Sequence, residues 1–173
     1  IAGPIALHFS FTIMKPLACT EFFWENMNKF TVATHNTFLR LLFINAEEMY
    51  LPGNIEKLTY WVAKLITRMT PPLPTLEDQL FMPYFLQYCV QNSLSLLKLL
   101  VDAHVVSKNY LMQVPMLDKV RVPAAWLAVA AGNKDIVKYL VQLGAMPLVV
   151  NDQSLEQYAT SKNQFEIFLF IET

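Results

Sequence analysis

The cysteines and histidines carry the side chains best suited to nucleophilic or zinc chemistry, and their spacing supports neither. These residues are Cys19, Cys89, His8, His35 and His104. Zinc sites are marked by closely spaced pairs of cysteine or histidine, and the chain has no such pair. A nucleophile and base built from Cys19 and His35 would rest on residue type alone. We therefore expect no catalytic residues and no metal site.

Glycines and acidic residues likewise give no sign of a cofactor. The four glycines stand at positions 3, 53, 132 and 144, too far apart for a phosphate-binding loop. Glu47 and Glu48 are adjacent, but neighbouring side chains on a helix point in different directions, so a solvated face is the better interpretation. The sequence thus predicts no cofactor and no small-molecule substrate.

One loop has the composition of a protein-binding site. Residues 105–122 form a long connection between two predicted helices, so we expect this loop to project from the body. Its tip combines apolar and charged side chains in Met116, Asp118, Lys119 and Arg121, which we predict to bind a partner protein. An ordinary solvated loop is the alternative. Because the net charge is −1 and the basic residues are scattered, we expect neither nucleic acid nor an anionic membrane as the partner.

Short helices must position this loop. Residues 123–145 read as two helices joined at Gly132 and Asn133, where we predict positive φ angles, and closed by Gly144. Asp135 falls in the first turn of the second helix, where its charge suits the positive end of the helix dipole. The apolar residues of this second helix recur at helical spacing: Ile136, Val137, Leu140 and Val141.

This hairpin resembles the ankyrin repeat. The matches are Leu127–Ala128 with the family's first-helix Leu-Ala, Gly132 with its inter-helix glycine, Ile136–Val137 with its Ile-Val, and Gly144–Ala145 with its closing Gly-Ala. The segment 123–126 departs from the family, because Pro-Ala-Ala-Trp stands where ankyrin repeats have Thr-Pro-Leu-His. We expect Trp126 to pack between adjacent repeats in place of the hydrogen bonds that the histidine makes.

The resemblance implies an all-α fold of stacked helical hairpins, a short ankyrin-like α-solenoid, and with it a non-catalytic module for protein–protein interaction. Two alternatives stay open. In the first, the chain is a targeting fragment of a larger multidomain protein, such as a bacterial effector or an enzyme whose catalytic part lies outside these residues. In the second, the apolar faces of the helical N-terminal part make that part an embedded subunit of a permanent assembly. Since Ile1 stands in place of an initiator methionine, we expect a processing or fragment boundary there.

The hairpin pattern recurs on both sides of this repeat. One alignment, which we call the upstream alignment, pairs residues 96–101 with 136–141. A second, the downstream alignment, pairs residues 166–168 with 135–137. The two alignments place Asn92 and Asn163, respectively, on Gly132. Because asparagine tolerates the left-handed region, we predict that both residues end their helices as glycine does.

Other correspondences are less specific. His104 falls on Gly144 in the upstream alignment, so we expect it to cap a helix end. Segments 38–42 and 53–62 resemble the second helix of the repeat, but amphipathic helices in general explain them equally well. The final segment, 165–171, predicts a helix that is apolar nearly all round, covered either by another element or chain or by the body of the protein.

Helices are also predicted in the first part of the chain. They span 20–28, 34–50 and 55–67, with a turn at 51–54. The proline-rich stretch 70–75 cannot continue a helix, and we favour a stiff connector over a polyproline ligand. We therefore divide the chain into a divergent helical segment at 1–70, a linker at 71–79 and ankyrin-like repeats at 80–173.

The overall composition indicates a folded protein. With 54% hydrophobic and 16% charged residues, the chain is too apolar for disorder, yet no run approaches the roughly 20 apolar residues of a membrane span. Residues 1–14 are apolar like a signal core, but no basic segment precedes them, so we interpret them as buried structure. Two cysteines are too few for a disulfide framework, which favours an intracellular, cytoplasmic setting, in the host cell for an effector.

Overall fold

The computed structural model describes residues 16–50, 55–114 and 121–167, and these residues form nine α-helices, two short 3-10 turns and one two-stranded hairpin. The prediction of a mainly helical protein is confirmed, while the stacking of its hairpins as a solenoid stays a prediction. By its contacts the chain divides into two units. The first unit runs to Met82 and includes 102–105, and the second comprises 83–101 and the residues from 106 onwards.

Three helices form the first unit. They are α1 (Pro16–Glu25), α2 (Val32–Tyr50) and α3 (Ile55–Arg68), and a 3-10 turn at Met27–Lys29 follows α1. The three predicted helices are confirmed, with α1 beginning earlier than expected at Pro16. Proline is tolerated there because the first turn of a helix does not need its N–H. The predicted turn at 51–54 lies outside the described residues.

Helical periodicity accounts for the core of the first unit. The buried residues of α3 recur every three or four positions: Leu58, Trp61, Val62, Leu65 and Ile66. Helix α3 contacts α2. Phe23 of α1 stacks on Phe38 of α2, with ring centroids 3.9 Å apart. At the start of α2, Thr31 Oγ1 accepts a hydrogen bond from Thr34 N at 3.2 Å, which satisfies one of the free donors of the first turn.

The proline-rich stretch ends the helical run, as predicted. Residues 70–76 contain no helix, because prolines lack the N–H donor that a helix interior requires. The stretch is nonetheless anchored to the first unit. Leu76 is fully buried, and its N–H donates to the carbonyl of Val105 at 3.1 Å. The domain boundaries drawn from the sequence at 70 and 80 stay a prediction.

Pairs of short helices form the second unit. The helices are α4 (Met82–Asn92), α5 (Leu94–Asp102), α6 (Lys108–Leu111), α7 (Ala124–Ala130), α8 (Lys134–Leu143) and α9 (Leu155–Ser161). Strands β1 (Val149–Val150) and β2 (Gln153–Ser154) precede α9, and a 3-10 turn at Phe165–Ile167 follows it. We call α4 with α5 hairpin A, α7 with α8 hairpin B, and α9 with this 3-10 turn hairpin C.

Hairpins B and C turn with the same geometry. Gly132 has a φ of +70°, and the downstream alignment places Asn163, with a φ of +58°, in its position. In hairpin B the next N–H, of Asn133, donates to Ala128 O at 3.2 Å, and in hairpin C that of Gln164 donates to Ala159 O at 2.9 Å. These bonds satisfy carbonyls left free at the helix ends, so the left-handed corner predicted for Gly132 and Asn163 is confirmed.

Other corners correct the sequence-based prediction. Asn133 has a φ of −85° and caps α8 through a hydrogen bond from Ile136 N to its Oδ1 at 3.3 Å. Asn92 is the last residue of α4 and is not among the residues with positive φ. The next residue, Ser93, caps α5 by accepting from Leu96 N at 3.2 Å, so a left-handed corner is unnecessary in hairpin A.

The two helix-ending positions predicted after the second helices do adopt the left-handed region. Gly144 ends α8 with a φ of +78°. His104, its counterpart in the upstream alignment, follows α5 with a φ of +59°. The segment 38–42, which resembles 136–140 in sequence, lacks this agreement at its helix boundary. The same alignment places His35 on Asn133, but His35 lies inside α2 whereas Asn133 precedes α8.

The second helices of hairpins A and B also share their pattern of burial. Along 95–105 and 135–145, buried, half-buried and exposed residues follow one another in the same order at every position. Their caps correspond as well, since Ser93 and Asn133 stand at the same place in the two hairpins and each accepts from the backbone N–H three residues later. The residues paired by the upstream alignment are therefore similar in burial as well as in type.

Hairpins A and B contact each other through their turns and second helices. Asn133 Nδ2 donates to Gln91 O at 3.4 Å, and the ammonium of Lys98 lies 5.5 Å from the ring centroid of Tyr139. Hairpin A is thus a neighbour of hairpin B.

Hairpins B and C contact each other at both of their helices. Trp126 is fully buried, its ring lies 5.1 Å from that of Tyr158, and its Nε1 donates to the carbonyl of Pro147 at 2.7 Å. Lys134 forms an ion pair with Glu166 at 2.9 Å. Trp126 therefore packs between neighbouring hairpins, as expected from the sequence.

The predicted last helix at 165–171 begins as a 3-10 turn. Ile167 is buried and Phe165 is exposed, so the apolar residues of this turn do not all face the core. Residues 168–173 lie outside the described part of the chain.

Candidate functional site

Arg121 is the member of the predicted binding site whose position the structure gives. It is exposed and precedes Pro123, the N-cap residue of α7. Met116, Asp118 and Lys119 lie outside the described residues, so their grouping with Arg121 stays a prediction.

The first half of the loop 105–122 is packed, which corrects the expectation that the whole loop projects. Val105, Val106 and Leu111 are buried. Between them, Ser107 caps α6 by accepting from Tyr110 N at 3.2 Å. Apolar residues at both ends of this short helix hold it against the fold, because exposing them to water would cost free energy. Residues 112–114, which follow, are exposed.

The connection after α8 is a tight β-hairpin. Val149 pairs with Ser154 and Val150 with Gln153, and the two residues between the strands, Asn151 and Asp152, both have positive φ angles. Two consecutive left-handed residues are typical of the turn that best matches the twist of paired strands, and asparagine and aspartate tolerate it. The tight turn predicted for 146–154 is therefore confirmed.

Both connections expose apolar side chains. In the loop after α6 these are Met112 and Val114, and in the hairpin after α8 they are Leu148 and Val149, with 63% and 64% of their surface accessible. The loop after α6 precedes the first helix of hairpin B, and the hairpin after α8 precedes the first helix of hairpin C. We call these four residues the apolar loop residues.

The sequence-based reasoning missed the apolar loop residues, although a signal for two of them exists. Leu148 and Val149 are separated from the turn pair Asn151 and Asp152 only by Val150, so they lie beside or within a short strand that has one face open to water. Residues that turn signals place in a short surface hairpin are poor candidates for the core even when they are apolar, and this could have identified them.

The chemistry considered for the cysteines and histidines finds little support in their surroundings. Burial raises the pKa of the Cys19 thiol, and more strongly that of Cys89, which disfavours the thiolate that a nucleophile needs. His35 Nε2 is 2.7 Å from the carbonyl of Met27, and its ring meets Phe23 edge-on, so this histidine joins α1 to α2. In the described parts of the chain, no three histidine, cysteine or acidic residues lie close enough together to hold a metal ion.

Among the described helices, none has both the length and the apolar character needed to cross a bilayer. In comparison with known proteins, the chain matches no protein-family model, no curated protein and no solved structure.

Proposed function

We propose that the chain is a non-catalytic protein-interaction module in which ankyrin-like hairpins stack in the order A, B, C. The sequence of contacts supports this order, since hairpin B touches A through Asn133 and Gln91 and touches C through Trp126 and Tyr158. A repeat array in which each unit contacts its neighbours offers an extended surface of helices and connecting loops, and proteins use such surfaces to recognise one another.

The apolar loop residues are the observation that carries the binding function. Leaving an aliphatic side chain wholly exposed forgoes about 1.5–3 kcal/mol of burial free energy. The four residues are 36% to 64% exposed, and two connections that each present two of them support a surface that is covered in a complex. The predicted site Met116, Asp118, Lys119 and Arg121 follows Met112 and Val114 in the same loop, and we propose that it belongs to the same surface.

The proposal extends to the setting of the protein. Cys19 and Cys89 are both buried and unpaired, which fits a reducing, intracellular compartment. If the chain is instead a targeting fragment of a longer protein, the apolar loop residues serve that protein as its binding surface, and the same experiment applies.

The experiment compares proteins captured from native lysate by the tagged chain and by its variants, with quantitative mass spectrometry. The test variants are Leu148→Ser with Val149→Ser, and alanine at all four predicted site residues. Leu80→Ser is the matched control, because Leu80 is 88% exposed but lies in the first unit. Circular dichroism establishes that every variant is folded.

We expect a protein retained by the wild type and by Leu80→Ser to be lost with the Leu148 and Val149 variant. Equal retention by both folded variants would contradict the assignment of the apolar loop residues. Enrichment of no protein over untreated resin would contradict the interaction module itself.

A further inference from the structure

A basic and aromatic groove lies on the first unit. Trp24 of α1 forms one side, and Ala63, Lys64, Thr67 and Arg68 of α3 form the other. The groove is shallow, with a volume of about 380 Å³. Its two cations stand one helical turn apart on α3, so both face the same indole ring.

Aromatic rings hold the ammonium group of Lys64 from several sides. Its Nζ lies 4.4 Å from the ring centroid of Trp24, 4.9 Å from that of Trp61 and 5.0 Å from that of Tyr60. It also donates a hydrogen bond to Tyr60 Oη at 3.2 Å. Trp61 is buried and belongs to the core, so the fold holds at least one of the rings that the ammonium contacts.

Arg68 is fixed on the same ring. Its Cζ lies 4.6 Å from the Trp24 centroid, and its Nη1 donates to the carbonyl of Trp24 at 2.7 Å. The planar guanidinium carries five N–H donors in all, so donors are left for another group after this bond.

Neither cation is neutralised by a carboxylate of the described residues. The ion pairs there are Arg40 with Asp78 and Lys134 with Glu166. Lys64 and Arg68 instead lie beside an apolar ring, where their contacts with Tyr60 and Trp24 already order both side chains. Such pre-organisation lowers the entropy cost of binding an anion.

We propose that this groove binds an acidic peptide segment of a partner protein. A carboxylate of the peptide pairs with Lys64 and Arg68, and a neighbouring apolar side chain packs on the apolar lining of the groove beside Trp24 and Ala63. A peptide fits better than nucleic acid, because the whole chain has a net charge of −1 and a surface for polyanions needs a longer run of cations. The groove lies in the first unit, so this proposal does not depend on the apolar loop residues.

The test mixes the full chain with a fluorescein-labelled hexapeptide of alternating glutamate and leucine, and the fluorescence anisotropy of the peptide measures its binding. A lysine–leucine hexapeptide and a decamer of thymidylate are the comparison ligands. The test variant is Lys64→Gln with Arg68→Gln. The matched control is Lys57→Gln, an exposed lysine on the same helix that does not line the groove.

We expect the glutamate peptide to bind, the double variant to bind it at least about tenfold more weakly, and Lys57→Gln to bind it as the wild type does. Binding should also weaken as salt is raised from about 50 mM to about 500 mM. Failure of the glutamate peptide to bind, equal binding by the folded double variant, or a preference for either comparison ligand would overturn the proposal. A preference for thymidylate would assign the groove to nucleic acid.

Discussion

Replacement of Trp126 by alanine is the most direct test of the contact between hairpins B and C. The side chain is fully buried against Tyr158 and donates to the carbonyl of Pro147. Truncating a buried tryptophan costs about 3–5 kcal/mol, through the lost transfer free energy and the cavity that is left. The carbonyl of Pro147 also loses its donor, which adds about 1 kcal/mol. We therefore expect Trp126→Ala to lower the free energy of unfolding by about 4–6 kcal/mol.

Thermal unfolding followed by far-ultraviolet circular dichroism measures this loss. For a chain of this length each kcal/mol corresponds to about 2–4 °C, so the melting temperature should fall by about 8–24 °C. Trp126→Phe retains an aromatic ring but lacks the N–H, and we expect it to cost about 1–3 kcal/mol. Phe165→Ala is the control, because Phe165 is 60% exposed and its truncation should change stability by no more than about 0.5 kcal/mol. If Trp126→Ala has the same melting temperature as Phe165→Ala, Trp126 does not hold the two hairpins together.

Three further predictions concern single positions of the second unit. Gly144 has a φ of +78° and open space around it. Gly144→Ala should therefore lower the free energy of unfolding by about 1–2 kcal/mol through backbone strain, and Gly144→Asn should lower it by less. Equal losses for the two variants in urea unfolding would contradict this. Asn133→Ala should cost about 1 kcal/mol and speed amide exchange at Ile136, whereas Asn133→Asp should keep the cap. Burial raises the pKa of Tyr158 above its ordinary 10.0, so the folded state holds this proton more tightly than the unfolded state. Stability should fall as the pH rises from about 10 through the folded pKa, and Tyr158→Phe should make the urea midpoint less sensitive to pH in that range.

Local signals in the sequence predicted most of the helical elements. The bounds of α3 were found nearly to the residue because its apolar positions recur at helical spacing and Arg68 is followed by a proline-rich stretch. The corner at Gly132 was predictable because only glycine adopts a φ of +70° without a steric cost, and the asparagine at position 163 is the nearest substitute. Each of these features depends on a few neighbouring residues.

Features that depend on competing or distant contacts were not predictable in this way. Asn92 was expected to form a left-handed corner, but the hydroxyl of the adjacent Ser93 caps α5 and removes the need for one. The loop 105–122 was expected to project, but Val105 and Leu111 are buried, and no local sequence pattern indicates this. For the candidate site, the sequence located the loop that contains Arg121, whereas Leu148 and Val149 were missed although the turn pair Asn151 and Asp152 marks a surface hairpin beside them.

The first helices of hairpins B and C differ in a way that fits the stack proposed above. The downstream alignment matches α9 to α7 residue for residue, and both helices have the same length. Three positions that are buried in α7, Ala125, Trp126 and Val129, are exposed in α9 and are occupied there by Glu156, Gln157 and Thr160. A stack gives an inner hairpin two neighbours and leaves a hairpin at its edge with one face toward water, which must then be polar. In a bundle with a single shared core, equivalent helices would bury equivalent faces, and α9 would have no reason to replace the apolar face of α7 with these three polar residues.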